Sequence, residues 1–260
     1  MQPQSSKHGL IIEPIKYDED YVYGGYSKLK GNVLVPDGNW TPYLPEFEHQ
    51  APGYETNACT IFGTNNAIEL NHKFLFGTEL NLSDRMAAVG AKIHPALGGT
   101  PKNAADYLRK NWSVFEEEWP MPDTLGEFYG TVPRELFDLA RKRKEKTGYL
   151  LGYEYISNPD IPSIGTALTM GSVCFSAALM LDGNGLYYKP DGWRDGHWMT
   201  AVWRKPNGNL LALDSYPPYL KEIRADFIPE VAIRYELNKE LAWSLMRLIE
   251  VLKQFLNRKV

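Results

Sequence analysis

The sequence predicts an α+β fold in two lobes, a helical lobe followed by a strand-rich one. Three observations carry this reading. Between residues 58 and 146, apolar residues recur at helical spacing. From Tyr149 onward, short runs of β-branched and aromatic residues alternate with turn signals. No internal repeat or low-complexity tract interrupts either half. Helices grouped first and strands grouped second make an α+β arrangement rather than an alternating one.

The elements follow in order. Residues 1–45 carry Pro3, Pro14, Pro36, Pro42 and Pro45, too many prolines for a long helix, and read as an extended arm. One strand is expected near residues 33–35, before a turn at Pro36-Asp37-Gly38-Asn39. Ala58, Phe62, Ile68 and Leu75 share a helix face, which predicts a helix over 58–76, capped by Thr56 or Asn57 and ended by Gly77. A second helix opens at Leu82-Ser83-Asp84 and runs to about 89. Gly98-Gly99-Thr100-Pro101 breaks the chain before a third over 103–110. A fourth spans 133–146 and ends in the solvent-facing charges RKRKEK. Strands are expected at 153–156, 172–180, 198–203 and 210–213, the last two joined by a hairpin at Lys205-Pro206-Asn207-Gly208. In the final segment Leu241, Leu245, Leu248, Leu252 and Phe255 repeat at heptad spacing and predict a long amphipathic helix. Docking of that helix on the domain is the plainest reading; self-association, a partner helix or an interfacial membrane helix are the alternatives. The expected organisation is an arm over 1–45, a domain over 46–225 (helical lobe 46–148, β lobe 149–225) and the amphipathic helix over 226–260.

Composition excludes several functions. The chain has 260 residues, 43% of them hydrophobic and 23% charged, enough to bury a core without covalent staples. Its net charge of −4 argues against nucleic-acid binding, which needs clustered positive charge. Two cysteines, Cys59 and Cys174, cannot build a disulfide scaffold or a four-cysteine zinc site. The five histidines show no metal-ligand spacing, so neither a metal nor a cofactor is expected. The loop Asp182-Gly183-Asn184-Gly185 lacks the downstream glutamate of a calcium loop and reads as a turn. No stretch has the core of a signal peptide or the roughly 18 apolar residues of a membrane span. The expectation is a soluble protein made in the cytoplasm.

Three residues together suggest chemistry. Cys59 stands at a predicted helix start, where free N–H groups and partial positive charge suit a nucleophilic sulfur. His197 precedes a strand in GHWMTAVW, and Asp214 ends the next strand in LLALDSYPP. The hairpin between them would bring both to one end of the sheet. A histidine oriented by a carboxylate and facing a thiol is the arrangement of nucleophilic acyl transfer. Cys174, between Val173 and Phe175 on an apolar strand, reads as core.

In this order and spacing the residues resemble the papain-like cysteine peptidases, in particular divergent bacterial or phage-encoded members. The resemblance covers roughly 46–220. It rests on Gln50 before Cys59, the helix after Cys59, Leu82-Ser83, Gly98-Gly99, Ala105-Asp106-Tyr107-Leu108 and Glu116-Glu117-Glu118-Trp119-Pro120. Further on it includes Gly171-Ser172-Val173-Cys174-Phe175, Gly196-His197 with Ala201-Val202, and Asp214-Ser215-Tyr216. It implies a two-lobed fold with a cleft between the lobes and peptide-bond hydrolysis of a peptide or protein substrate. It implies Cys59 as nucleophile, His197 as base and then acid, Asp214 as the orienting group, Gln50 as an oxyanion donor, and Gly98 and Gly99 as a wall of the substrate groove. Asp214 stands where the family more often has Asn, Tyr216 where it has Trp, and Gln50 lies a few residues farther from the cysteine than usual. Cell-wall peptide amidases, acyl transferases and a non-catalytic virion or binding module are the rival readings on the same fold. The arm over 1–45 is read as wrapping the domain, with covering of the cleft as the alternative.

Overall fold

The structure is a computed structural model, which describes residues 9–16, 20, 22–23 and 32–238. Its helices are α1 (Cys59–Phe76), α2 (Asp84–Gly90), α3 (Pro101–Asn111), α4 (Leu125–Phe128), α5 (Arg134–Thr147) and α6 (Ile161–Leu168). The strands are β1 (Val22–Tyr23), β2 (Leu150–Ile156), β3 (Ser172–Ala177), β4 (Met180–Leu181) and β5 (Tyr187–Tyr188). After them come β6 (His197–Arg204), β7 (Leu210–Leu213), β8 (Leu220–Ile223) and β9 (Ala232–Asn238). They form one sheet in the order β1-β2-β9-β3-β6-β7-β8-β5-β4, antiparallel except at β1–β2 and β5–β8.

The sheet is buried on both faces, and strand alternation sorts its residues between them. Cys174, Trp198, Ile233 and Tyr235 face a core shared with α1, α2 and α3. Val173, Phe175, Met199, Ala201 and Ala232 face a second core closed by α6 and Trp40. Trp40 is fully buried and donates its indole N–H to the Leu168 carbonyl at 2.7 Å, so this part of the chain is built into the β lobe.

Every residue of α1 from Cys59 through His72 is buried, which makes it a core helix rather than a surface one. A glycine allows it to lie on the sheet. A Cβ at Gly63 would sit 2.7 Å from Trp198 Cδ1, the residue after His197. Gly77 ends α1 in the left-handed conformation (φ 68°) and donates to the Lys73 carbonyl at 2.9 Å, as expected of a glycine at that position. Ser83 and Thr100 cap α2 and α3 by accepting from Met86 N (3.2 Å) and Asn103 N (3.1 Å).

Four sequence expectations change. Residues 33–35 are not a strand; they bend, and the Leu34 and Val35 N–H groups both go to the Thr169 carbonyl at 2.7 and 3.1 Å. Neither Thr56 nor Asn57 caps α1: Ala58 is the cap residue, without a side-chain bond, and Asn57 takes a positive φ of 55°. Helix α6 was not foreseen, although Asp160 caps it by accepting from Ser163 N at 2.7 Å and Pro162 sits in its first turn. The helix expected over 226–260 does not begin there. Residues 232–238 are β9, paired with both β2 and β3, because Ile233, Tyr235 and Leu237 alternate on one face. Positions 239–260, with the heptad seam, lie outside the described residues.

Candidate active site

Cys59 is the first residue of α1, and that helix start carries no side-chain cap. No side chain claims its earliest N–H groups, which carry the positive end of the helix dipole; the Ile61 N–H goes to the Ala58 carbonyl at 2.8 Å. Cys59 is fully buried. His197 begins β6, whose middle lies across α1, and Asp214 follows the last residue of β7. The β6–β7 hairpin turns at Lys205, where the Gly208 N–H reaches the Lys205 carbonyl at 2.9 Å, and its register returns Asp214 to the His197 end.

The imidazole and the carboxylate meet directly. His197 Nε2 lies 2.6 Å from Asp214 Oδ1, with the two residues 6% and 4% exposed. With Nε2 held by Asp214, Nδ1 is the nitrogen left for the sulfur, and the Cys59 thiol interacts with the ring by hydrogen bond and charge. Burial works against a charged imidazole. The Asp214 charge, its hydrogen bond and the Cys59 contact outweigh burial and push the His197 pKa up to about 10. Burial likewise opposes ionisation of Asp214, yet His197 and then Lys221 bring its pKa down to about 2.

The residues around this pair lock it in place. Gln50 is fully buried. Its Oε1 accepts from the Ser215 hydroxyl at 2.7 Å, and its Nε2 donates to Glu55 Oε1 at 2.8 Å. The Gln50 N–H donates to the Ser215 carbonyl at 3.1 Å, so the segment before α1 is stitched to the turn after Asp214. Tyr216 lays its ring 5.3 Å from the His197 ring (centroid to centroid) and donates its hydroxyl to Glu55. Glu55 also accepts from the Asn57 N–H at 2.8 Å. Sequence reading missed Glu55 and Lys221. Neither stands in a motif, and only the structure shows Lys221 and Ile223 buried between half-buried neighbours on β8.

Gly99 lies beside the start of α1, where a Cβ would sit 3.6 Å from Thr60 Oγ1, and residues 9–11 run along Gly98 and Gly99. The Gly9 carbonyl accepts from Gly99 N at 2.8 Å, Ile11 N donates to the Gly99 carbonyl at 2.9 Å, and Leu10 N donates to the Gly196 carbonyl at 3.2 Å. Residues 9–11 thus form a strap between the loop of the helical lobe and the residue before His197. The approach is closer than any side chain allows: a Cβ on Gly98 (φ 81°) would fall 1.7 Å from the Gly9 carbonyl oxygen.

Cys174 is not part of this site. It is fully buried on β3 and contacts the Gly63 carbonyl at 3.1 Å, and burial pushes its pKa up to about 12. Among the described residues no group of three His, Cys, Asp or Glu side chains could hold a metal ion. No described helix is long and apolar enough to cross a membrane.

No protein-family model and no curated protein matches the sequence. Solved structures do. Bromelain from Ananas comosus, in complex with the E64 inhibitor, is 18% identical and aligns over 77% of this chain and 98% of its own, with a TM-score of 0.56. Procathepsin L2 from the larval midgut of Tenebrio molitor is 16% identical over 88% of this chain and 78% of its own, TM-score 0.59. The proform of Amb a 11, a cysteine protease of ragweed pollen, is 15% identical over 86% of this chain and 70% of its own, TM-score 0.58. The chain has the papain-like fold.

Proposed function

We propose that the protein is a thiol hydrolase that cleaves peptide bonds with Cys59, His197 and Asp214. The observation that carries the reading is the 2.6 Å bond from His197 Nε2 to Asp214, which leaves Nδ1 for a cysteine at an uncapped helix start. The structural neighbours are proteases, which adds to it. Cys59 gives its proton to His197 Nδ1, and the Sγ thiolate attacks the carbonyl carbon of the scissile bond. The Cys59 N–H and Gln50 Nε2 stabilise the oxyanion, the latter held in orientation by Ser215 and Glu55. His197 Nδ1 delivers its proton to the departing amine, then takes one from the water that hydrolyses the thioester. Asp214 keeps the ring oriented through both transfers. Gly99 offers its N–H and C=O to an extended peptide where the strap now lies, and Gly98 beside it, without a side chain, permits the close approach.

The test is cleavage of an unfolded protein such as reduced casein. Cys59→Ala is expected to abolish it, and His197→Ala to lower it by about 10²–10⁴-fold, the worth of general acid–base catalysis. Cleavage retained by either variant would refute the mechanism. Hydrolysis of muropeptides with no cleavage of protein would replace the peptidase by a cell-wall amidase using the same residues.

A further inference from the structure

We propose that Lys221 is a fourth, positioning member of the site: its ammonium balances the Asp214 charge and aims that carboxylate at His197. The inference rests on the hydrolase reading above and extends it to a residue outside the triad.

Three observations converge. Lys221 Nζ lies 2.6 Å from Asp214 Oδ2, the oxygen that His197 does not use. Its other two donors reach the carbonyls of Tyr216 at 2.7 Å and Pro218 at 3.0 Å, so all three N–H groups are spent inside one turn. Lys221 is only 7% exposed, and Asp214 4%. A surface ion pair contributes little; a buried lysine with every donor engaged is a built feature.

The chemistry explains why it is there. Asparagine can orient an imidazole without carrying charge, whereas a buried carboxylate brings a negative charge that must be matched. Lys221 supplies the match on Oδ2 while Oδ1 accepts from His197 and, at 3.2 Å, from the Tyr216 N–H. The carboxylate is held at both oxygens, which sets the plane in which His197 turns. Unbalanced, Asp214 would hold the imidazolium more tightly and make it a poorer acid toward the leaving amine.

The groups facing Asp214 and Lys221 are His197 from β6, Tyr187 from β5 and Tyr216 within the turn, with Glu55 behind Tyr216 and Cys59 on the far side of the ring. His197 and Lys221 each place a nitrogen 2.6 Å from the carboxylate, one on either oxygen, and the other groups named carry no positive charge.

The test is the titration of His197 followed by NMR on protein labelled with ¹³C at histidine Cε1, with His197→Ala assigning the resonance. Lys221→Met should raise the midpoint by about one unit, because an opposing charge is removed. Asp214→Asn should lower it. Asp214→Asn/Lys221→Met should lie above Asp214→Asn alone, and Lys221→Arg should stay with wild type. A purely structural lysine would lower the melting temperature and leave every midpoint where it was; that result overturns the proposal. Should Lys221→Met fail to fold, the comparison of Asp214→Asn with the double variant decides, since neither leaves a carboxylate without its lysine. Cys59→Ala separates the two readings. If it leaves the His197 midpoint unchanged, the Cys59–His197 pair fails; if it moves the midpoint while removing Lys221 does not, Lys221 alone fails.

Discussion

At the scale of single residues, the buried His197–Asp214 pair gives stability a signed pH dependence. His197 is raised from 6.5 to about 10, so what it contributes to stability is complete below pH 6.5 and disappears as pH climbs through about 10. Asp214 is lowered from 3.8 to about 2, so its contribution is complete above pH 3.8 and disappears as pH falls through about 2. The pair therefore stabilises most between about pH 4 and 6.5. Melting temperatures from pH 6.5 to 10 should fall more steeply for wild type than for His197→Ala, and parallel curves would contradict the pairing. The placement of Cys59 at a helix start, His197 at a strand start and Asp214 after a strand end was readable because the chain marks each of these places. Glu55 and Lys221 were not, because their roles depend on which buried oxygen or amide they meet, and that is settled only when β8 and the segment before α1 are packed.

Among the elements, the helical lobe carries a different pH response. Glu48, Glu69, Asp84 and Glu116 crowd the base of α1 and α2, and burial raises all four pKa values. For Glu116 the rise, from burial and then the Glu48 charge, reaches about 7. A raised carboxylate favours the folded state below its unfolded pKa of 4.5, and that advantage is lost as pH rises toward 7. Glu116→Gln should reduce the drop, by at most about 3.5 kcal/mol from the size of the shift, with Glu48, Glu69 and Asp84 supplying the remainder. Denaturant unfolding at pH 4.5 and 7.5 measures it, and an unchanged drop in the variant would contradict the assignment. Helices α1, α2, α3 and α5 were readable because apolar spacing and end signals agree. Helix α6 was hidden by Pro162 and Gly165, which read as loop residues although the first is an ordinary first-turn proline. Strand β9 was hidden by the heptad pattern that follows it, which drew the helix boundary too early.

For the molecule as a whole, the two lobes meet along α1 and the sheet, and the strap over residues 9–11 joins them a second time. The change of character read at Tyr149 falls between the end of α5 at Thr147 and the start of β2 at Leu150. The strap could not be read from sequence, because an apolar stretch next to a glycine says nothing about which backbone it will meet. Its bond from Leu10 N to the Gly196 carbonyl predicts that the strap limits access to Cys59. Leu10→Pro removes that donor, a loss of about 1 kcal/mol. Modification of Cys59 by iodoacetamide should accelerate several-fold in this variant, and an unchanged rate would mean that the strap does not govern entry.

The same reagent tests the central claim directly. Cys59 and Cys174 are both fully buried, so exposure does not distinguish them. Only the site chemistry does. Wild type and His197→Ala would be treated with iodoacetamide at pH 5.5, where an ordinary thiol of pKa about 8.5 reacts little, and each cysteine read by mass spectrometry. A paired Cys59 is modified, Cys174 is not, and the modification is lost in His197→Ala. A Cys59 as inert as Cys174, or equally reactive without His197, would contradict the assignment of Cys59 and His197 as a catalytic pair.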